Sequence, residues 1–134
     1  MSQTANGVTT QYTLDLNSGL TQVLTENTPG GYGDETYLYG LARLAQVSAE
    51  STDYFVADAL GSVRQLTDAG ANVTLQRSYT PYGEILHTSG TGDTNYAFTG
   101  ESYDPQTGLT YLRARYYSAY LSQDIDQNIY HFIK

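Results

Sequence analysis

The sequence predicts an all-β protein, a strip of antiparallel β-hairpins that forms a curled sheet or partial shell, and three observations lead to that prediction. The 134 residues include 14 tyrosines and only 3 phenylalanines, and Tyr, Thr and Val favour the half-buried surface of a sheet. Thirteen glycines supply turns. Between those turns, short runs alternate apolar and polar residues, which is typical of strands that bury one face.

The glycines mark an internal repeat of about 21 residues. Gly19, Gly40, Gly61 and Gly83 recur at intervals of 21, 21 and 22 residues by subtraction of their numbers, and Gly108 follows 25 residues later. A strand-like run precedes and follows each of them, so each unit predicts one hairpin. Because a hairpin of two short strands is not stable alone, successive hairpins are expected to pair edge to edge.

The arms of these hairpins follow in order along the chain. The arm before each glycine is expected at 12–16, 37–39, 54–56, 79–82 and 103–105, and the arm after it at 20–24, 41–44, 63–66, 84–86 and 109–112. In the first arm Tyr12, Leu14 and Leu16 share one face. In the run 73–79 alternation places Arg77 on the same face as Val73, Leu75 and Tyr79. The polar stretches 26–35 and 88–94 are expected to be surface loops.

Composition assigns a single domain to residues 1–134, with a polar segment at 1–11, the repeats at 12–117 and a divergent tail at 118–134. Six basic residues against fourteen acidic ones, for a net charge of −8, argue against nucleic acid as a partner. No run of eighteen apolar residues is present, so membrane insertion is not expected. The absence of cysteine excludes disulfides and thiolate metal sites. The first residues have no basic and apolar pattern of a secretion signal.

Four stretches carry motifs with a recognisable combination of Tyr, Asp, Gly and Arg. They read YFVADALGSVRQLTD at 54–68, YTPYGE at 79–84, FTGE at 98–101 and YDPQTGLTYLRARYY at 103–117. With them the chain resembles the YD-repeat (Rhs) family, in particular the C-terminal part of its core. The residues that carry this structural signature are Gly61, Tyr79, Pro81, Gly83, Gly100, Tyr103, Asp104, Gly108, Tyr111, Arg113, Arg115, Tyr116 and Tyr117.

The resemblance implies a strip of hairpins that, in long members, winds into a hollow shell around a toxin domain. The family includes bacterial competition toxins, insecticidal toxin-complex subunits and the animal teneurins, which implies an extracellular or cell-surface location. Family cores usually continue with an autocleavage segment containing Asp-Pro-x-Gly-Leu. Here Tyr117 is followed by SAYLSQDIDQN instead, so the resemblance implies a structural role without catalysis or a cofactor.

Candidate catalytic groups are few. The two histidines, His87 and His131, are far apart in sequence, and no nucleophile motif accompanies them. The segment Asp104–Leu109 faintly resembles the cleavage segment, but Asp followed by Pro is more typical of a turn. Asp124 and Asp126 are carboxylates that could act as an acid and base pair, although the sequence around them has no Pro-x-Gly-Leu. We therefore expect no enzyme.

The only metal-like pattern is Asp124, Asp126 and Asn128, which have the alternating oxygen ligands of a calcium loop. The glycine that such a loop needs at its sixth position is Ile129 here. A solvated polar tail is the favoured interpretation, and no metal is predicted.

Arg113 and Arg115 are two residues apart in what the pattern predicts to be a strand. They are then expected to project from one face together with Tyr111 and Tyr117. The favoured interpretation is a ladder in which these arginines contact Asp or Tyr on neighbouring strands, and the alternative is a ligand site.

The function expected from these observations is a structural module that pairs with itself or with another YD-repeat chain through open sheet edges. Only 15% of the residues are charged, so few charges protect those edges. One alternative is an end-cap or fragment of a shell that encloses a toxin, and another is a carbohydrate-binding surface built from tyrosines. The run 129–133 has the composition of a strand and could cap its own sheet or extend a neighbour's.

Overall fold

The computed structural model describes residues 1–5, 7–17, 19, 21–29 and 33–125, and its regular structure is almost entirely strand. The strands are β1 (Ser2–Ala5), β2 (Val8–Asp15), β3 (Gln22–Thr28), β4 (Gly33–Tyr39), β5 (Arg43–Val47), β6 (Thr52–Ala57), β7 (Val63–Thr67), β8 (Val73–Tyr79), β9 (Ile85–Gly90), β10 (Ser102–Asp104), β11 (Leu109–Tyr111), β12 (Tyr116–Ser118) and β13 (Gln123–Ile125). A short 3-10 turn lies at Phe98–Gly100. The all-β prediction is confirmed. Within the described ranges, no helix is long and apolar enough to cross a bilayer.

The chain divides into two compact units. The first contains Met1–Phe55 with Asp68–Gly70, and the second contains Val56–Thr67 and the chain from Ala71 onward. In the first unit, β1 to β5 and the first four residues of β6 follow one another as an antiparallel meander. In the second unit, β7, β8 and β9 pair in sequence, and β10 to β13 form a separate antiparallel sheet. The assignment of residues 1–134 to a single domain stays a prediction.

The repeat glycines lie between successive strands, as their spacing predicts. Gly19 lies between β2 and β3, Gly40 between β4 and β5, Gly61 between β6 and β7, Gly83 between β8 and β9, and Gly108 between β10 and β11. The last three have φ angles of +86°, +92° and +71°. Only glycine adopts this left-handed conformation without steric cost, so the turn geometry explains these three residues.

The two predicted surface loops are shorter than expected. β3 continues to Thr28 and β4 begins at Gly33, with Glu26 directly opposite Glu35 in the register. β9 likewise continues to Gly90. Polar side chains are compatible with strands wherever one face of the sheet meets water, so the pairing of backbone groups, rather than polarity, decides where these strands end. The polar segment at 1–11 contains β1 and the start of β2.

The best buried residues of the second unit lie on β7, on β8 and on the chain that follows β9. Leu66 and Leu75 are directly opposite each other, and their side chains are 0% and 1% exposed. Tyr96 and Ala97 are also buried. The segment after β9 therefore belongs to the core of this unit.

Candidate functional site

Two turns of the second unit have the same construction. In the first, the Gly61 amide donates to the Asp58 carbonyl at 2.9 Å, and the Ser62 amide donates to Asp58 Oδ1 at 3.0 Å. In the second, the Gly83 amide donates to the Thr80 carbonyl at 3.0 Å, and the Glu84 amide donates to Thr80 Oγ1 at 3.1 Å. In both, a side-chain oxygen at the first position accepts from the amide four residues later, which closes the turn without help from water.

Pro81 occupies the second position of the Thr80 turn. Proline presets the φ angle that this position requires and has no amide to satisfy. This signature residue therefore has a structural explanation in the turn itself.

Residues 92–101, here named the crossing segment, bind the first of these turns through the backbone. The Val63 amide donates to the Ala97 carbonyl at 2.9 Å, and the Thr99 amide donates to Ser62 Oγ at 3.0 Å. A Cβ on Gly100 would lie 2.9 Å from the Gly61 carbonyl oxygen, so two signature glycines permit the close approach of two backbones.

The crossing segment also contacts the second turn. The Phe98 ring lies where a Cβ of Gly83 would be, well inside contact distance. The same ring packs at a tilt against Tyr79, with the ring centroids 5.9 Å apart. Motifs that are separated in the sequence, YTPYGE and FTGE, therefore meet in space.

Arg77 holds the crossing segment against β8. Its Nη1 donates to the Tyr96 carbonyl at 3.0 Å and to the Thr94 carbonyl at 3.3 Å. The side chain is only 10% exposed, and Asp93, at 3.8 Å, is an exposed counter-charge. A planar guanidinium can bind two carbonyls at once, which a lysine ammonium does less well.

The tyrosines at the ends of two equivalent strands bind the preceding strand. The Tyr39 hydroxyl donates to the Val23 carbonyl at 2.8 Å, and the Tyr79 hydroxyl donates to the Val63 carbonyl at 2.7 Å. In both cases the acceptor is 16 residues earlier in the chain. The two tyrosines therefore make the same contact in two different hairpins.

Burial raises the pKa of the Tyr79 phenol, and the Asp58 carboxylate adds to the effect, against a smaller lowering by Arg77 and Arg64. A raised pKa in the folded state means that folding favours the neutral phenol. The stability that this preference contributes is fully present below the unfolded pKa of about 10 and is lost as the pH rises through the folded value.

Replacement of Tyr79 by phenylalanine is therefore expected to lower the free energy of unfolding by about 1 kcal/mol at neutral pH. The difference from the parent should shrink above pH about 10, where the parent also loses its hydrogen bond. Urea unfolding at several pH values measures this, and Tyr82→Phe, at a 63% exposed side chain, is the control. Equal pH dependence of the parent and Tyr79→Phe would contradict the prediction.

Two arginines bind aromatic rings. The Arg43 guanidinium lies 5.6, 5.5 and 5.7 Å from the ring centroids of Tyr37, Tyr39 and Phe55. Arg64 lies 5.7 Å from the Tyr79 ring centroid. Cation–π contacts of this kind stabilise the packing of a sheet face, so these cations serve the chain's own structure.

The Asp104–Gly108 segment forms the turn between β10 and β11. The Gly108 amide donates to the Asp104 carbonyl at 2.8 Å, and the Gln106 amide donates to Asp104 Oδ1 at 2.9 Å. The Thr107 hydroxyl donates to the other carboxylate oxygen at 3.0 Å. The carboxylate is used to close a turn, as the sequence predicts.

The signature tyrosines that follow lie in the β10–β13 sheet. Tyr111 is directly opposite Tyr116, with ring centroids 5.1 Å apart. Tyr103 and Tyr117 both pair with Thr110 in the adjoining row. The Tyr117 hydroxyl donates to the Tyr82 carbonyl at 2.8 Å, which ties this sheet to the second turn.

The prediction that Arg113 and Arg115 lie in a strand is wrong. Both are in the turn between β11 and β12, where Arg113 has a φ of 65° and the Leu112 amide donates to the Arg115 carbonyl. Because this turn interrupts the alternation, Tyr111 and Tyr117 lie on opposite faces instead of sharing one.

Of the contacts with Asp or Tyr on neighbouring strands that were expected for these arginines, the structure shows the one between Arg115 and Asp124. Arg113 forms an ion pair with Glu101 at 3.0 Å, and Arg115 forms one with Asp124 on β13 at 3.1 Å. Both contacts join parts of the chain to each other.

Of the remaining candidate residues, the structure describes only His87 and Asp124. His87 is exposed on β9. His131, Asp126 and Asn128 lie outside the described residues, and so does the tail run 129–133. Over the ranges that the structure describes, no group of three or more His, Cys, Asp or Glu side chains could hold a metal ion.

Sequence reasoning missed three residues that shape this unit: Ser62, Arg77 and Gly90. Ser62 is 0% exposed. The sequence signal that could have identified it is its position directly after the repeat glycine Gly61. Arg77 was placed on the apolar face of its strand by alternation, which is the signal of a buried cation. No local pattern marks Gly90.

These features define a class of protein: an all-β structural module in which glycine turns, tyrosine hydroxyls and half-buried arginines join successive hairpins. The chain belongs to the Teneurin YD-shell family, whose model matches residues 9–134. The recognition of the YD-repeat family from the sequence is confirmed.

Curated relatives share 30% identity with the chain over 135 residues. They include the tRNA3(Ser)-specific nuclease WapA of Bacillus spizizenii and the tRNA nuclease WapA of Bacillus subtilis strain 168. The match covers 94% of this chain but only 6% of each relative. The chain is therefore similar to a small part of those proteins.

Solved structures with a similar fold include those titled TcdB2-TccC3-TEV and TcdB2-TccC3-Cdc42. The TM-scores are 0.62 and 0.61, with 15% sequence identity in both. Each match covers 92% of this chain and 7% of the other. At this identity the likeness concerns the fold alone.

Proposed function

We propose that the chain is a non-catalytic building segment of a YD-repeat shell, and that it associates with further strands through an open sheet edge. The observation that carries the proposal is the use of the signature residues. Gly61, Gly83, Gly100 and Tyr79 all join turns and strands to one another. Such contacts favour a structural role, because the polar groups of these residues bind the protein itself rather than a substrate.

The edge of β9 is the best candidate for association. This strand pairs with β8 on one side, and no described strand after it in the sequence pairs with its other side. Its sequence, ILHTSG, has no Lys, Asp, Glu or Pro, and five of its six residues are exposed. Native edges are usually protected by charge or proline, so an unprotected edge of this kind supports pairing with another strand.

In the longer relatives the partner strand would belong to the same chain, because the match covers only 6% of their length. An end-cap or segment of a larger shell is thus one form of the proposal, and pairing of separate copies is the other. The family resemblance also supports an extracellular or surface location. The nuclease activity in the relatives' names is proposed to reside outside the matched part.

A carbohydrate-binding surface is less well supported. The hydroxyls of Tyr39, Tyr79 and Tyr117 donate to backbone carbonyls of the chain. A sugar site needs tyrosine hydroxyls and ring faces gathered at one exposed place. These three hydroxyls instead donate hydrogen bonds to the chain's own backbone.

Light scattering coupled to size-exclusion chromatography tests the association. The parent is expected to form species larger than its 14.7 kDa monomer as its concentration rises. Ser89→Lys on β9 should weaken that association about tenfold, because a charge on an edge strand opposes pairing. Lysine reduces the net negative charge, so a general increase in repulsion between copies would not account for this result.

The matched control is Gln76→Lys, since Gln76 is exposed on β8 directly opposite Ser89. It introduces the same charge one strand away from the edge and should leave association nearly unchanged. A parent that stays monomeric at all concentrations would contradict association between copies, and equal effects of the two lysines would contradict the β9 edge.

A further inference from the structure

Exposed leucines of the first unit gather at one end of its meander. Alternate turns of an antiparallel meander lie at the same end of the sheet, so the β2–β3 turn and the β4–β5 turn are neighbours. Four leucines lie in or beside these two turns. Their exposed fractions are 74% for Leu16, 49% for Leu38, 110% for Leu41 and 54% for Leu44. These four residues are here named the leucine end.

The β4–β5 turn does not need its leucine. The Gly40 amide donates to the Ala42 carbonyl at 2.8 Å, which closes the turn through the backbone. The Leu41 side chain between them is fully exposed and therefore adds no packing to the unit. Leu44 lies against the same turn, with its Cδ1 3.1 Å from the position that a Cβ of Gly40 would occupy. Exposed apolar side chains that gather in one place are typical of an interaction surface, whereas scattered ones are ordinary.

The β5–β6 turn, at the opposite end of the same unit, is built from small and polar residues. It consists of Ser48, Ala49, Glu50 and Ser51, and none of the four is a large apolar residue. The Ser48 hydroxyl oxygen accepts from the Ser51 amide at 3.1 Å. Because this sheet can close a hairpin without leucine, the leucines at the other end require an explanation beyond the turn.

Charge is also separated between the two ends of the unit. Five carboxylates lie toward the end with the β5–β6 turn: Glu26, Asp34, Glu35, Glu50 and Asp53. Asp15 ends β2 and Arg43 begins β5, so the strand ends beside the leucine end carry one charge of each sign. A contact between two copies of one surface pairs that surface with itself. The leucine end, with no net charge among these residues, is complementary to itself, whereas the acidic ends repel each other.

We propose that the leucine end is an interface between two copies of this chain, related by a twofold axis so that the same four leucines of each copy meet. This contact is separate from the proposed association through β9, which lies in the second unit, and does not depend on it. A twofold contact closes on itself. A chain that has both contacts therefore links more than two copies.

Light scattering coupled to size-exclusion chromatography of the full chain tests the interface. Leu41→Ser is expected to weaken association about tenfold, because each copy loses apolar surface from the contact. The matched control is Leu121→Ser, since Leu121 is a 52% exposed leucine of the second unit, and it should leave association unchanged. Urea unfolding of Leu41→Ser should match that of the parent, because the side chain is fully exposed in the single chain. Equal association of Leu41→Ser and Leu121→Ser would overturn the proposal.

A combined variant separates this interface from the β9 edge. Ser89→Lys removes the β9 contact and should leave a dimer held by the leucine end. Addition of Leu41→Ser to that variant should give a monomer. If Ser89→Lys alone is monomeric at all concentrations, the leucine end is not an interface between copies, while the β9 edge is retained. If the parent itself stays monomeric, both contacts are overturned.

Phosphatidylcholine vesicles test the other occupant that an uncharged apolar surface admits. The expected result is that neither the parent nor Leu41→Ser floats with the vesicles, because the leucine end is covered by a second copy. Flotation of the parent that Leu41→Ser abolishes, without a change in association, would overturn the proposal and identify the leucine end as a lipid-binding surface.

Discussion

Replacement of Gly90 by alanine is expected to lower the free energy of unfolding by about 3 kcal/mol, the largest effect expected for an added methyl group at any glycine that the structure describes. Gly90 is directly opposite Leu75 at the end of β9 and has a φ of +101°. A Cβ there would collide with the backbone carbonyl of Thr74. Because that carbonyl accepts the Gly92 amide at 2.8 Å, it cannot move without disturbing the start of the crossing segment.

Gly108→Ala is the matched control for this substitution. Gly108 also has a positive φ, +71°, but nothing lies within 4 Å of the position that a Cβ would occupy. It should cost only about 1 kcal/mol, the backbone contribution alone. Urea denaturation followed by circular dichroism measures both values. Equal losses in the free energy of unfolding for the two substitutions would show that the contact with Thr74 does not contribute to the loss.

Replacement of Arg77 by methionine is expected to cost about 3 kcal/mol, because it removes the donors for two backbone carbonyls while nearly preserving the volume. Those carbonyls belong to Thr94 and Tyr96, and Tyr96 is buried at 3% exposure. Arg77→Lys keeps the charge and should give an intermediate loss, because one ammonium group reaches both acceptors less well than a guanidinium.

The control for the arginine is Arg115→Met. Arg115 is 61% exposed and pairs with a carboxylate at the surface, so its removal should cost less than about 1 kcal/mol. The same urea denaturation compares the three variants. A loss for Arg77→Met no larger than that for Arg115→Met would show that the crossing segment is held by apolar packing instead.

Much of the fold could be predicted because its determinants are local. The glycine intervals located the hairpins, and Asp104 followed by proline located a turn, since turn chemistry depends on four or five neighbouring residues. Alternation alone predicts that Leu75, Arg77 and Tyr79 share one face of β8. The family motifs then identified the kind of repeat.

Predictions of secondary structure failed where the neighbouring residues are compatible with either a strand or a turn or loop. The composition around Arg113 suits a strand, yet the chain turns there, because the pairing of β11 with β12 requires a reversal. The polar ends of β3 and β9 suggested loops, yet a paired strand beside each supplies hydrogen bonds. In these places tertiary pairing overrides local preference.

Residues close to each turn are enough to predict that this protein is a series of glycine-centred, tyrosine-rich hairpins of the YD-repeat type. The return of residues 92–101 across β7 and β8, the binding of their carbonyls by Arg77 and the need for glycine at position 90 become visible only in the folded chain. The difference lies in how far apart in the sequence the contacting residues are. A hairpin is specified by side chains within a few residues of its turn, whereas those contacts depend on which buried surface a distant segment meets once the strands have paired.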